Sequence, residues 1–541
     1  MPGTAQAEAT EHRRLRRTGW LVAAGACLLA LALAHVRAWR FTADDAFISF
    51  RYAENWVRFG LPVYNPLDVD PRPVEGYTNF GWVVLLAAAH GLGADIPSAA
   101  AVLGAVSLAG AWGVVVALAW WLAASWRPAF GALAAGALAA ATPEFVVWGT
   151  GGLEGPLAAA LAWGAAYAFE RGRPRRAGLL GALAVLVRPD AVVVPATFVI
   201  ARVAADPARR RPAALLRLSA DLAWGLPLLV AHLVFRWVVY GALLPQTFAM
   251  KAGGVALAGT YGRAYLAAWA WGVGPWTLVV AAFGLGRRAL PVAAAVVAHL
   301  VYVVLVGGDF MAYGRLALPA TCGVLVLFGC GIGRLASLSA ARRRGAARWA
   351  AFGVAAVVVG LASRAAFLRH RDDMARTSGW IDGRFEGVHT MDRFARVRRV
   401  AGERLAERVP PRTRIVVGAA GALPYASRLP AWDAFGLVVP GAPKTARVLP
   451  PERSRPGHQR VVPEAVLSRF DPDLACHVGY HGPRPPGPAR IPRSMRRDHV
   501  FACVELGRID DPHAPSGSFD GGYYCCLRRR DRLADVFAAS P

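Results

Sequence analysis

Apolar stretches of membrane-spanning length alternate with short polar connections through the first two-thirds of the chain. The first runs from Thr18 to about Val36. Others fall near 97–122, 129–148, 152–169, 177–188, 191–203, 219–240, 261–284, 289–306, 316–333 and 349–366. Each predicts a helix, because a hydrocarbon core takes roughly 20 apolar residues whose backbone bonds close within the segment. The pattern therefore predicts a mostly α, polytopic membrane protein with about eleven spans. The apolar stretch from Asn79 to Gly93 reads instead as an interfacial or re-entrant helix, since a full crossing there would invert every later connection. The pieces 177–188 and 191–203 are short for crossings. They read as a broken pair meeting at Arg188-Pro189-Asp190, where irregular backbone must be buried in protein or line a wet cavity.

After residue 369 the pattern changes. Proline, arginine and aspartate rise, and no membrane-length apolar run follows. Strands are predicted at Thr413 to Gly418, His499 to Leu506 and Tyr523 to Leu527. The chain thus divides into a transmembrane domain, 1–368, with a first outer loop at 38–96, and a soluble α/β or α+β domain, 369–541.

Charge fixes the expected orientation. Lys and Arg number 61 against 35 Asp and Glu, a formal net charge of +26. In a soluble chain this would suggest nucleic acid. Here Arg127, Arg171 to Arg176, Arg202 to Arg217, Arg287 with Arg288, and Arg342 to Arg348 occupy alternate connections, as the positive-inside rule requires. This predicts a multi-pass protein of the bacterial inner membrane, with a cytoplasmic N-terminus, an extracytoplasmic C-terminal domain and no nucleic-acid partner. The opening EHRRLRRTGW and its apolar run have the outline of a signal peptide but lack a convincing cleavage site, so they read as a first span. Hydrophobic residues at 55% and charged residues at 18% exclude both a single soluble domain and disorder. Cys27, Cys322 and Cys330 lie in spans. Cys476, Cys503, Cys525 and Cys526 lie in the outer domain, where one disulfide can form. No CxxC pair suggests zinc.

Six polar groups fall on one expected face: Asp44-Asp45; Glu75 to Asn79, with Tyr77; Glu154; Arg188 and Asp190; Gln246 with Lys251; and Asp309 with Arg315. Each has an ordinary explanation. Thr42, Asp44 or Asp45 could cap the following helix, Asp44 and Arg51 could pair along its face, and Lys251 or Arg315 could anchor at headgroups. Together they suggest one polar cavity, since ionisable residues near a membrane are costly. A carboxylate there can act as general base on a hydroxyl, and arginine or lysine can hold a phosphate. Trp56, Tyr52, Tyr64 and Tyr77 could stack on sugar rings. No GxGxxG after a strand and no Walker loop is present, so a soluble nucleotide donor is not expected. No cofactor is required, while a divalent cation stays open.

The run Asp44-Asp45-Ala46-Phe47-Ile48-Ser49-Phe50-Arg51-Tyr52-Ala53-Glu54-Asn55, with Asn65-Pro66 and Val74-Glu75-Gly76-Tyr77-Thr78-Asn79-Phe80, resembles the first outer loop of the mycobacterial terminal arabinofuranosyltransferase family. Tyr240-Gly241, Pro245-Gln246-Thr247 with Lys251, Gly307-Gly308-Asp309-Phe310 with Arg315, Ala420 to Tyr425 and Asp433 to Leu437 are similar to that family as well. The resemblance covers about residues 40 to 440. It implies a GT-C membrane glycosyltransferase: an inverting enzyme that moves a sugar, arabinofuranose or another, from a polyprenyl-phosphate donor to a glycan or glycolipid acceptor on the outer face. It implies that Asp44 or Asp45 is the base, and helix geometry favours Asp45. Arg51, Glu75, Tyr77, Asn79, Glu154, Arg188, Asp190, Gln246, Lys251, Asp309 and Arg315 are then candidates for binding donor or acceptor. The alternative from another class is a lipid or sugar transporter of the envelope, which would place its polar site near the midplane, often between inverted repeats.

Overall fold

The structure, a computed structural model, describes residues 3–251, 255–338, 346–376, 380–381 and 385–537. The membrane domain is built from α1 (Gly3–Ala38), α2 (Ala46–Phe59), α3 (Phe80–Gly91), α4 (Ile96–Leu122), α5 (Pro128–Ala141), α6 (Pro143–Val146), α7 (Gly155–Glu170), α8 (Pro174–Val187) and α9 (Val193–Ala204). It continues with α10 (Pro212–Leu222), α11 (Leu226–Tyr240), α12 (Gln246–Met250), α13 (Val255–Leu257), α14 (Arg263–Val273), α15 (Pro275–Phe283), α16 (Leu290–Leu305), α17 (Leu318–Leu338) and α18 (Ala346–Met374). Proline stands in the first turn of α4, α5, α7, α8, α10, α11, α15 and α16, where its missing N–H costs nothing. At α4 the side chain of Asp95 adds a cap, accepting from the Ser98 N–H at 3.0 Å.

Every predicted apolar stretch is helical. Five helices are long and apolar enough to cross a membrane alone, and up to seven if each bent pair is one span. The pairs are α5 with the segment from Pro143, bent by 82°, and the helix ending at Val273 with α15, bent by 80°. The other predicted stretches form the shorter helices α7, α8, α9 and α16, packed among these. Helix α17 forms the centre, with 94% of its apolar window buried, whereas α11 turns Val230, Val234, Trp237 and Val238 outward as a lipid-facing stripe. The stretch after Asn79 forms the short helix α3 against α2, α4 and α8.

The bundle has two chemically different ends. At one, Arg202 pairs with Glu170 at 2.9 Å, Arg175 with Asp221 at 2.8 Å, and Arg334 donates to the carbonyls of Phe283 and Leu285. These side chains tie together the connections that carry the arginine clusters. Of the cluster from Arg342 to Arg348, Arg342, Arg343 and Arg344 lie outside the described residues. The six polar groups gather at the opposite end, beneath the outer domain.

The C-terminal domain, called the outer domain after the side that the arginine pattern leads one to expect, contains β1 (Trp380–Ile381), β2 (Phe385–Glu386), α19 (Val388–Arg408), β3 (Ile415–Val417), α20 (Ala422–Ser427), β4 (Ala431–Asp433), β5 (Arg447–Val448), β6 (Arg460–Val461), β7 (Leu474–Gly482), β8 (His499–Glu505), β9 (Arg508–Asp510), β10 (Ser518–Asp520) and β11 (Tyr523–Arg529). Its main sheet has the order β4-β3-β7-β11-β8, parallel through β4, β3 and β7 and antiparallel beyond. All three predicted strands are present, as β3, β8 and β11. Two disulfides form rather than one, Cys476–Cys526 and Cys503–Cys525. Neighbouring residues on a strand point to opposite faces, so Cys525 and Cys526 reach different partners on the two flanking strands.

The first outer loop is bolted to this domain through buried polar groups. Arg51 donates from Nε to the Tyr64 carbonyl at 2.8 Å, from Nη2 to the Leu429 carbonyl at 2.8 Å and to Asn65 Oδ1 at 3.2 Å, and from Nη1 to the Pro424 carbonyl. Asn65 then behaves as one more residue of the sheet edge: its amide gives to the Ala431 carbonyl and takes from the Ala431 N–H, both at 2.9 Å. The Tyr64 hydroxyl donates to the Ala420 carbonyl at 2.7 Å. Replacing Arg51 by methionine keeps the apolar stem, removes its hydrogen bonds and leaves the Leu429 carbonyl without its donor, while Tyr64, Pro424 and Asn65 keep Asn55, Arg428 and Ala431. It should destabilise the protein by roughly 1–3 kcal/mol. Thermal unfolding together with limited proteolysis of the outer domain checks this; an unchanged melting temperature would refute it.

Candidate functional site

The turn between α1 and α2 gives the two adjacent aspartates different surroundings. Asp44 faces the outer domain, where its Oδ1 accepts the Ala422 N–H at 3.0 Å. The approach leaves no room for a side chain at residue 421: a Cβ on Gly421 would stand 2.1 Å from the Asp44 carbonyl oxygen. Asp45 is the residue before α2 but does not cap it. Its carboxylate takes no hydrogen bond or ion pair among the described residues, and it is only partly buried. The capping role open to Thr42, Asp44 and Asp45 is thus not made at α2, and Arg51, committed to Tyr64, Asn65, Pro424 and Leu429, does not pair with Asp44.

Below Asp45 runs a buried polar chain. Ser49 and Asn79 exchange hydrogen bonds, Asn79 donates to Glu154 Oε2 at 2.8 Å, and Glu154 Oε1 holds Arg188 at 2.7 Å. Arg188 closes on Asp190 with a two-pronged contact at 3.1 and 3.2 Å. The broken pair, α8 and α9, is therefore stapled by its own charges, and the staple reaches α2 through α7. A buried guanidinium between two carboxylates is satisfied, where an unpaired one would cost several kcal/mol.

The third wall is the turn after α16. Gly307 and Gly308 lie at φ 87° and 70°, in the left-handed region that favours glycine. The turn delivers Asp309, whose Oδ1 accepts the Phe310 N–H at 2.8 Å and whose Oδ2 holds Arg315 Nε at 2.6 Å. The charges of both Asp45 and Arg188 reach Arg315. The Glu386 backbone bonds to this turn at Phe310 and Ala312.

The outer domain closes the fourth side. Asp45 lies within electrostatic reach of Glu386 and His458. The His458 ring packs edge-on against Phe310 and Phe435, with centroids 5.1 and 4.5 Å apart. Arg455 pairs with Glu386 at 3.2 Å and covers the Phe310 ring at 4.5 Å. Lys251, exposed and unpaired among the described residues, adds its charge to the same neighbourhood. Burial and then Arg455 push the His458 imidazole down to about 4, so it is neutral at pH 7. Burial pushes the Glu386 carboxyl up, against the pull of Arg455. The arrangement offers one unpartnered carboxylate beside three permanent or exposed cations, Arg315, Arg455 and Lys251.

Asp45, Glu154, Arg188, Asp190, Asn79, Lys251, Asp309 and Arg315 thus belong to one polar neighbourhood. Four expected ligand contacts do not. Arg51 is spent on the outer-domain clamp. Glu75 is buried in an ion pair with Arg236 at 2.8 Å. The Tyr77 hydroxyl meets that of Tyr240 at 3.1 Å. Gln246 donates to the carbonyls of Gly436 and Val439, both at 2.7 Å. Sugar stacking by Tyr52, Tyr64, Tyr77 and Trp56 is corrected too: the three tyrosines are core, and Trp56 packs on Phe80 and Phe235. Aromatic side chains beside a compact loop gain more from burial than from exposure. Glu386, Arg455 and His458 join this neighbourhood from the domain after the membrane helices, and none of them stands in the family-like strings. Among the described residues no group of three or more His, Cys, Asp or Glu is placed to hold a metal ion.

Comparison with known proteins bears on the fold. A family described as a domain of unknown function (DUF8728) matches residues 389–508, within the outer domain. No curated protein matches the chain. Among solved structures, ArnT from Cupriavidus metallidurans bound to undecaprenyl phosphate is similar with a TM-score of 0.50 at 13% identity, over 94% of this chain and 98% of that one. The same protein in its apo state gives 0.49 at 14% identity, over 97% and 100%. An oligosaccharyltransferase from Archaeoglobus fulgidus, tethered with an acceptor peptide, gives 0.47 at 12% identity, over 84% and 69%. The chain is a multi-pass membrane protein with a GT-C-like fold: a mostly helical membrane domain carrying an α/β domain at its C-terminal end.

The difference between the aspartates has a pH signature. Burial pushes the Asp44 carboxyl up to about 6, with Arg398 and the Ala422 N–H opposing. A carboxyl raised in the fold favours folding while protonated, so that contribution is lost as pH rises from about 4 through about 6. Asp44→Asn keeps an acceptor for Ala422 and does not titrate. Its melting temperature relative to wild type should climb between pH 4 and about 6 and then level. A difference independent of pH would refute this.

Proposed function

We propose that the protein is an inverting GT-C glycosyltransferase that moves a sugar from a polyprenyl-phosphate donor to a glycan or glycolipid acceptor on the outer face of the bacterial inner membrane. The carrying observation is Asp45: a carboxylate without a partner, beside Arg315, at the bundle end away from the arginine-rich connections. Asp45 takes the proton of an acceptor hydroxyl as its oxygen attacks the anomeric carbon. The bond from that carbon to the phosphate oxygen breaks on the opposite face, which inverts the configuration. Polyprenyl phosphate leaves with the bonding electrons, and Arg315, Lys251 and Arg455 stabilise the charge it gains. The neutral imidazole of His458 can donate a hydrogen bond without adding charge.

Support for a lipid-linked donor comes from the shared fold with ArnT, whose structure holds undecaprenyl phosphate, and from the absence of a nucleotide-binding motif. The finer assignment, to arabinofuranose and to cell-wall biogenesis, rests on the first-loop strings. The topology, with a cytoplasmic N-terminus and an outer domain from about residue 369, rests on the arginine alternation. A transporter accounts less well for the site, because its acids stand at one end of the bundle rather than at a midplane between repeats.

The test is transfer by the purified protein from a panel of polyprenyl-phosphate sugars, read as release of polyprenyl phosphate. Asp45→Asn should insert and fold normally, bind donor, and lose roughly 10²–10⁴ in turnover. Near-full turnover in that variant would defeat the assignment of the base and turn attention to Glu386, Glu154 and Asp309. Lys251→Ala should weaken use of limiting donor by one to three orders of magnitude, about 1.4 to 4 kcal/mol. Wild-type behaviour would remove Lys251 from the phosphate site.

A further inference from the structure

The turn from Asp309 to Arg315 has a second face. While Asp309 and Arg315 look toward Asp45, Met311 to Gly314 wall a separate cavity of about 240 Å³ between α6, α14 and the end of α18. That is far above the ~10–15 Å³ that one water requires. Trp269, Tyr265, Tyr313 and Phe385 are buried in its wall, and Trp271 at the rim, 77% exposed, supplies the open aromatic face.

The polar lining is constructed rather than incidental. The 82° bend between α5 and α6 places Glu144 at the back of the cavity, 1% exposed. Its Oε1 pairs with Arg369 Nη2 at 2.6 Å. Its other oxygen and Arg369 Nη1 have no hydrogen-bond partner among the described residues, an acceptor and a donor side by side. Buried polar atoms are rarely left so. Tyr313 is held at φ 59°, a conformation costing a non-glycine residue roughly 1–3 kcal/mol. Its hydroxyl is tied to Asp373 at 2.7 Å, and Arg369 lies 4.7 Å over its ring. Asp373 also takes the N–H groups of Val388 and His389, both at 3.0 Å, which couples the wall to the outer domain.

We propose that this cavity is a neutral-sugar subsite for the acceptor glycan, an inference that rests on the transfer reading above. Among the described residues its lining carries three carboxylates, Glu144, Asp372 and Asp373, and two guanidinium groups, Arg369 and Arg376. That balance does not select a phosphate. Aromatic faces stack on the C–H faces of a sugar ring, and a paired acceptor and donor match a hydroxyl that gives one hydrogen bond and takes another. One turn walls both sites, so an acceptor chain held here reaches around it toward Asp45.

The experiment uses the full chain in a detergent without a sugar headgroup. Methyl glycosides of arabinofuranose, galactose, mannose and glucose are titrated and binding is read by saturation-transfer NMR. At least one should bind saturably. Trp271→Ala, at the exposed rim, should weaken that binding tenfold or more at an unchanged melting temperature, and Glu144→Gln should weaken it similarly. Absence of binding by all four glycosides, or an unchanged Kd in Trp271→Ala, would overturn the proposal. Binding is measured without donor and should persist in Asp45→Asn. A protein that binds sugar here yet transfers none therefore overturns the transfer reading, not the sugar site.

Discussion

The geometry of the site depends on the Arg51 guanidinium, buried with its donors given to carbonyls and a side-chain amide. A lone buried guanidinium would be too costly to keep. Here the charge is spread over acceptors from two distant parts of the chain, so the first outer loop and the outer domain satisfy each other. Each side presents carbonyls to it, and Asn65 supplies the complementary edge for Ala431. Breaking the contact unties the two parts from each other and leaves the Leu429 carbonyl without its donor, which makes it a positional constraint as well as a stabilising one.

That constraint separates two aspartates that are adjacent in sequence. With α2 locked against α20, Asp44 falls on the N–H of Ala422 and is consumed. Asp45, the next residue of the turn, makes no hydrogen bond to that contact among the described residues. The clamp leaves Asp45 without a protein partner among the described residues, while Glu154, Asp190, Asp309 and Glu386 near it are paired with arginine. Paired acids hold walls in place; an unpaired one is available for proton transfer.

Much of this is legible in the sequence. The helices follow from apolar length, and the two ends of the bundle follow from arginine placement. The strings around Asp44, Gln246, Asp309, Ala420 and Asp433 are distinctive as sequence, and in the fold several of them touch one another. Asp44 meets Ala422, Arg51 meets Pro424, and Gln246 meets Gly436. At Arg51 and Gln246 their distinctiveness comes from assembly, whereas at Asp45 the chemistry proposed above would be the source, and sequence alone does not separate the two. A buried arginine and a ligand-binding arginine look alike until their acceptors are known. Arg455, His458 and Glu386 are illegible for a different reason: they act from a domain that packs over the site only after the chain has folded back across more than three hundred residues. The second disulfide is hidden by the bulge between Cys525 and Leu527 in the pairing of β11 with β7.

The paired charges also explain why a site at a membrane can be rigid without being especially stable. Replacing buried ion pairs with apolar residues of similar size is often neutral or stabilising, so Glu154 with Arg188, Asp309 with Arg315 and Glu75 with Arg236 are poor devices for stability. They are good devices for register, because each fixes two elements in a single relative position. Glu154 with Arg188 sets α7 against the break between α8 and α9, Asp309 with Arg315 closes the turn after α16, and Glu75 with Arg236 pins the first loop to α11. Around Asp45 the chain has thus placed its costly charges where position matters more than stability. Asp45, a carboxylate with no such partner among the described residues, stands out against that frame, and this contrast, more than any single motif, is what supports the proposal that it is the base.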